Sequence, residues 1–198
     1  MTQVYDISEG FDVPSALTAI LDSLPRWRLR KALSYRQDMD RFLCAKSFLM
    51  LEGLLRERFG LESCPEFSYE RNGKPYIAGR SDIFFNISHC RKGIACVVSE
   101  SPVGMDIEEI QSGWEDLAPT VLNPDELSDV IRSGEPAVRF TEIWTRKESF
   151  LKLTGEGLAD NMKDVLSGAS GVLFKTELNR SAGYVLTLAT WNTCGRKW

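Results

Sequence analysis

Val103-Gly104-Met105-Asp106-Ile107-Glu108 alternates apolar and polar residues with the period of a β-strand. Val103, Met105 and Ile107 face a core, so Gly104, Asp106 and Glu108 share the opposite face. Two residues of strand rise set the two carboxylates roughly 6.6 Å apart along it. At that spacing both can converge on one hard divalent cation, and Mg²⁺ is usually held by few carboxylates together with substrate phosphates. A solvated strand face has the same alternation, and the pair alone does not separate the two. Gly104 tilts the balance slightly, because glycine inside a strand often marks the close approach of a ligand or of another backbone.

The answering segment is Trp144-Thr145-Arg146-Lys147-Glu148-Ser149-Phe150-Leu151-Lys152, which reads as a helix. Glu148 and Lys152 stand at i and i+4, a spacing that also suits a surface pair worth roughly 0.2–0.5 kcal/mol. Phe140 and Trp144 extend the stripe towards the N-terminus. A face passing from apolar to charged suits a helix whose first turns are buried and whose last turns enter a cleft. Asp106, Glu108, Glu148 and Lys152 around a metal point to chemistry on a phosphate or pyrophosphate.

The 198 residues suffice for one large domain or two small ones, and 43% hydrophobic with 26% charged residues is ordinary globular composition. A net charge of −4 argues against a general nucleic-acid binder. The segment 26–46 is nevertheless basic: Arg26, Arg28, Arg30, Lys31, Arg36, Arg41 and Lys46 face only Asp38 and Asp40. Such a segment in an acidic protein suits an anionic ligand or partner. The cysteines, Cys44, Cys64, Cys90, Cys96 and Cys194, are odd in number and form no Cys-x-x-Cys pair, which argues against a disulfide framework or zinc site and for a reduced, cytoplasmic setting. No signal peptide or membrane-spanning apolar run is visible.

Along the chain, residues 3–7 read as a strand, 14–24 as a helix, and 25–59 as two helices or one that bends, stopped by Gly60. Asn72-Gly73 signals a turn after the short strand 67–69. Residues 82–87 and 93–99 read as strands around a Ser88-His89 turn. A lobe boundary falls near Ser101-Pro102, and a helical stretch follows the carboxylate strand to about Val121. Asn123-Pro124-Asp125-Glu126 looks like a helix start, and Gly134-Glu135-Pro136 separates that helix from 137–153. Residues 171–176 and 184–191 close the chain as strands.

The single histidine, His89, lies in Phe84-Phe85-Asn86-Ile87-Ser88-His89. In a turn there, backbone amides, a hydroxyl and an imidazole can meet a phosphate. A Ser88 nucleophile with His89 as its base is less plausible, because adjacent strand residues point apart and no Gly-x-Ser-x-Gly elbow is present. Gly73-Lys74-Pro75 reads as a hairpin tip with an exposed lysine, and Gly155-x-Gly157 as a helix C-cap and flexible loop.

The order of these blocks is more specific than any one of them. Gly-Lys-Pro, then Phe-Asn-Ile-Ser-His, then Val-Gly-Met-Asp-Ile-Glu, then Trp-Thr-Arg-Lys-Glu-Ser-Phe-Leu-Lys-Leu-Thr-Gly-Glu-Gly-Leu resembles the Sfp-type 4′-phosphopantetheinyl transferases over roughly residues 23–160. The resemblance implies an α+β fold of two similar lobes related by pseudo-twofold symmetry, each a small antiparallel sheet packed on helices. The N-terminal lobe is expected over 1–102, and the C-terminal lobe, carrying the metal site, over 103–198. It implies Mg²⁺-dependent transfer of phosphopantetheine from coenzyme A to a serine of an acyl or peptidyl carrier protein, releasing adenosine 3′,5′-bisphosphate.

By motif match, Asp106, Glu108 and Glu148 would hold Mg²⁺ against the pyrophosphate. Lys152 would stabilise or protonate the leaving bisphosphate, and Glu148 or Glu126 would accept the serine proton. Lys74, Ser88 and His89 match positions contacting the phosphates and adenine end of coenzyme A. Arg26 falls where the family often has a lysine serving the 3′-phosphate, Arg30 or Lys31 would add a basic contact, and Arg41 falls near the coenzyme-facing end of the long helix. The Arg-rich segment 26–46 would dock an acidic helix of the carrier. Cys90 and Met105 depart from the small hydroxyl residue and the Ile or Val usual at those places, and the chain is short for the two-lobed type. It is much longer than the trimeric bacterial holo-acyl-carrier-protein synthases. Both halves of the site lie in one chain, so a monomer that binds neither nucleic acid nor membrane is expected.

Overall fold

Each half of the chain runs strand, helices, hairpin, and pairs its first strand with the last strand of its hairpin. The computed structural model describes residues 1–63, 66–157 and 161–192; Cys64, Leu158 and Cys194 of the sequence reading lie outside them. The first half comprises β1 (Thr2–Asp6), α1 (Val13–Leu21), α2 (Arg26–Leu33), α3 (Asp38–Phe59), a short hairpin of β2 (Ser68–Tyr69) and β3 (Pro75–Tyr76), β4 (Phe84–Cys90) and β5 (Gly93–Ser99). The second comprises β6 (Val103–Glu109), α4 (Trp114–Val121), α5 (Pro124–Arg132), α6 (Pro136–Thr154), a 3₁₀ helix (Met162–Gly168), β7 (Val172–Asn179) and β8 (Tyr184–Trp191). The main sheets are antiparallel, in orders β1-β5-β4 and β6-β8-β7. The shared topology is that of two similar α+β lobes. Among the described residues no helix is long and apolar enough to cross a membrane.

The two-helix reading of 25–59 holds, with the break at Ser34–Gln37. One expectation is corrected. Ser88 and His89 are not a turn: they pair with Ala95 and Ile94 inside β4, and the chain reverses at Arg91-Lys92. The strand persists because β5 supplies a register partner for each residue through Cys90. Ser88 and His89 are thereby held by a ladder rather than a loop.

Two layers of packing position the cleft. Ala95, Val97, Val103, Met105, Ile107, Tyr184 and Leu186 form a core joining the two sheets. Asn86 on β4 accepts the Met105 amide at 3.3 Å, tying β4 to β6. The other face of β6 is covered by α6, so Val103 through Ile107 are all buried. This is why Gly104 is glycine. A Cβ built there would lie 2.0 Å from the Ser149 carbonyl oxygen and 2.4 Å from the Leu153 amide nitrogen, both backbone atoms of α6. Of the two approaches that a strand glycine signals, ligand or backbone, the structure shows the backbone.

Candidate active site

The close seating of α6 on β6 brings their polar residues to one opening between the lobes. This cleft has a volume of about 560 Å³. From β6 come Asp106 and Glu108, from α6 Trp144, Glu148 and Lys152, from β4 Ser88 and His89, and from α2 Arg28 and Lys31. The helical stripe Phe140, Trp144, Glu148, Lys152 behaves as its periodicity suggests: Phe140 is fully buried, and the other three line the cleft. A smaller adjoining cavity of about 260 Å³ shares Glu148 and Lys152 and is bounded by Lys74, Gly155 and Gly157.

Asp106 is only 3% exposed. Its Oδ1 accepts from Ser88 Oγ at 2.8 Å and from Lys152 Nζ at 2.6 Å. Lys152 Nζ also donates to Ser88 Oγ at 2.9 Å, closing a three-membered network across the lobes. Among the described residues, Asp106 Oδ2 and Glu148 Oε1 are buried oxygens without a partner. Buried carboxylate oxygens without a donor are costly. Lys152 is the only ammonium bonded to this cluster among the described contacts. Among the described residues, no group of three or more His, Cys, Asp or Glu side chains is arranged to hold a metal ion. The donor chemistry nevertheless fits a hard cation: three carboxylates line one cleft, and two keep an unpartnered buried oxygen.

The crowding shifts proton affinities. Burial, then the Asp106 charge, push the Glu108 carboxyl up to about 7, with Lys152 opposing. Burial and then Asp106 also raise Glu148, again against Lys152. His89 is lowered by burial and then by Lys152, although its ring reaches solvent at the cleft mouth. Glu108 therefore holds its proton more tightly in the folded protein than in the unfolded chain. The stability this confers is fully present below the unfolded value of 4.5 and is lost as pH rises through about 7. With chelator present, the protein is expected to lose roughly 1–2 kcal/mol across that window after allowance for the partial exposure of Glu108. Glu108→Gln should flatten this part of the urea-unfolding profile; an unchanged slope would discount the burial of Glu108.

The basic residues separate by helical phase. Arg28 and Lys31 lie three apart on one face of α2 and line the cleft, whereas Arg26 is exposed on another face and does not. Arg28 was not among the residues expected at the site. It is 6% exposed, donates from an Nη to the Cys44 carbonyl at 2.8 Å, and leaves its buried Nε unpartnered. Its signal lay in the sequence: Pro25 starts the helix, and Arg28 sits one turn before Ala32, which is fully buried. Arg41 is held away from the cleft by Asp38 Oδ1 at 2.8 Å and the Tyr35 carbonyl at 2.9 Å. Lys74 donates to the Leu153 carbonyl at 3.1 Å, and Asn72 donates to the Gly155 carbonyl at 3.2 Å. The tip of the β2–β3 hairpin thus caps the C-terminus of α6, satisfying carbonyls that a helix end leaves free. Burial lowers the Lys74 pKa, with Glu70 opposing.

Glu126 is not brought to the cleft. It closes a capping box with Asn123 at the start of α5, and its Oε2 accepts from Lys147 Nζ at 2.6 Å. Both roles hold the carboxylate on the far side of α6.

Residues 102–189 match the 4′-phosphopantetheinyl transferase superfamily, and these bounds enclose β6, α6 and the three candidate metal ligands. A 4′-phosphopantetheinyl transferase of Bacillus subtilis is 33% identical over 129 residues, 63% of this chain and 56% of that protein. The 4′-phosphopantetheinyl transferase Sfp of Bacillus subtilis strain 168 is 29% identical over 128 residues, with the same shares of 63% and 56%. The 4′-phosphopantetheinyl transferase AcpT of Escherichia coli strain K12 is 37% identical over 100 residues, 48% of this chain and 51% of that one. The chain spans about half the length of the curated relatives it matches. Over this matched stretch, which carries β6 and α6, the chain is similar to the 4′-phosphopantetheinyl transferase superfamily.

Proposed function

We propose that the protein transfers the 4′-phosphopantetheine group of coenzyme A to a serine of an acyl or peptidyl carrier protein. The supporting observation is that the Arg28–Lys31 pair and the Asp106, Glu108, Glu148, Lys152 cluster line one cleft. Coenzyme A carries a 3′-phosphate and a pyrophosphate. The α2 cations with His89 suit the first, and the acid–lysine cluster suits the second once a cation balances its charge. Asp106, Glu108 and Glu148 would hold that cation, Mg²⁺. When bound, it would neutralise charge on the pyrophosphate oxygens during transfer.

The chain's own groups supply the rest. The serine oxygen forms a bond to the phosphorus nearer the pantetheine, and the bond from that phosphorus to the bridging oxygen breaks. The bond's electrons leave with adenosine 3′,5′-bisphosphate, whose new charge Lys152 faces. The serine proton passes to Glu148, which burial makes a stronger base than an exposed carboxylate. Ser88 holds Lys152 and Asp106 in register. Both sides of the cleft come from one chain, which supports a monomer, and the free thiols Cys44, Cys90 and Cys96 suit the reduced cytoplasm.

The test is direct. The protein, coenzyme A and Mg²⁺ are incubated with a panel of apo carrier proteins, and intact masses are read. One phosphopantetheine mass is expected on at least one carrier, and its loss on chelation; a panel without any adduct would refute the reading.

A further inference from the structure

We propose that Lys147 and Glu126 form a positioning pair that fixes α6, and with it Glu148, from the side away from the cleft. This rests on the transferase reading above. Lys147 directly precedes Glu148 but faces the opposite way. It has no exposed surface. Its ammonium lies 2.6 Å from Glu126 Oε2, 2.7 Å from the Val121 carbonyl, 2.9 Å from the Met162 carbonyl and 3.3 Å from the Lys163 carbonyl. An ammonium has three hydrogens, so the longest of these contacts shares a donor.

None of the four oxygens belongs to α6. They come from the end of α4, the first turn of α5 and the first turn of the 3₁₀ helix. A single buried charge therefore gathers three segments onto α6. Glu126 Oε2 also accepts the Asn123 amide at 3.0 Å, so the same oxygen caps α5 and neutralises Lys147. Removing one member of a buried pair leaves the other charge uncompensated, and the segments around it must rearrange.

The consequence reaches the cleft by two routes. Glu148 is the next residue along the same helix. The chain between α6 and the 3₁₀ helix carries Gly155 and Gly157, which line the smaller cavity beside Glu148 and Lys152. Lys147 grips that chain on both flanks, from its own helix and at Met162 and Lys163. Neither Lys147 nor Glu126 lines the cleft or the smaller cavity. Their influence on the reaction is therefore through placement, and Glu126 acts through Lys147.

The experiment uses the full chain with Glu126→Gln, Lys147→Met and the double variant. Read-outs are kcat and KM for coenzyme A, the pH profile of kcat, thermal unfolding, and amide hydrogen exchange. We expect kcat to fall about tenfold or more in each single variant while KM for coenzyme A stays within about twofold. The acid limb of the pH profile stays where it is, exchange across residues 148–157 accelerates while β4 and β5 keep their protection, and the double variant is no worse than the worse single. If Lys147→Met does not fold, Glu126→Gln carries the test, because its amide oxygen still accepts from Asn123 and Lys147. Loss of the acid limb in Glu126→Gln alone would make Glu126 a base and overturn the proposal. So would a kcat loss that merely follows the unfolded fraction. Wild-type protein that transfers nothing would refute the transferase reading instead, leaving the exchange data to judge the pair.

Discussion

Gly104→Ala is expected to abolish transfer and to cost about 3 kcal/mol of stability or more. The added methyl would sit 2.0 Å from the Ser149 carbonyl oxygen, 2.4 Å from the Leu153 amide nitrogen and 2.9 Å from the Leu153 Cα. All three belong to helix backbone, so no side-chain rotation relieves the clash. Either α6 moves off β6 or its last turns unwind. Motion is resisted on the other sides. Phe140, Thr145, Lys147 and Ser149 are fully buried, and Thr145 Oγ1 meets Thr187 Oγ1 of β8 at 2.8 Å. Ser149 and Leu153 are the immediate neighbours of Glu148 and Lys152, so any relief displaces the two groups that face the substrate. Urea unfolding read alongside the carrier-mass assay checks both halves of the expectation. A wild-type midpoint with undiminished transfer would mean that β6 and α6 do not meet as closely as described.

How much of this was legible depended on whether the partner was near in sequence. The alternation of β6, the i, i+4 stripe of α6 and the Asn123–Glu126 helix start are local patterns, and each matches the structure. The Arg26–Arg28 difference was also local in principle: a helix begun at Pro25 places Arg28 in the row of Ala32, and that row meets α3. What could not be read were the long-range partners. Gly104 announces a close approach without saying to what. Glu126 looks like a free acid until Lys147 is placed against it. Ser88-His89 carries turn-like residues, yet the ladder with β5 keeps them extended. The alternation left Asp106 between a metal-holding face and a solvated strand face, and only the long-range packing of α6 on β6 buries it. Burial there makes it one member of a hydrogen-bonded cluster with Ser88 and Lys152 and leaves its Oδ2 without a partner.

That burial also carries a large functional effect. Asp106→Asn is expected to lower transfer by about a thousandfold or more while leaving the fold intact. The side chain keeps its shape, so no cavity opens, and its oxygen still accepts from Ser88 and Lys152. Two electrostatic effects then oppose one another. The variant loses the ionic part of the Lys152 contact, a single pair whose lysine still reaches solvent at 29% exposure. It also removes the negative charge that, after burial, most raises the proton affinities of Glu108 and Glu148. Without divalent cation the second effect outweighs the first, and the variant should unfold no earlier than wild type. With Mg²⁺ the order should reverse, because a ligand at free concentration L that binds only the folded state stabilises it by RT ln(1 + L/Kd), and Asp106 is one of its proposed ligands. Thermal unfolding of both proteins, with Mg²⁺ and with chelator, therefore separates a metal ligand from a structural acid. Equal Mg²⁺ responses, or near-wild-type transfer in the variant, would remove Asp106 from the metal site. A variant unfolded under both conditions would instead make Asp106 a residue on which the fold itself depends.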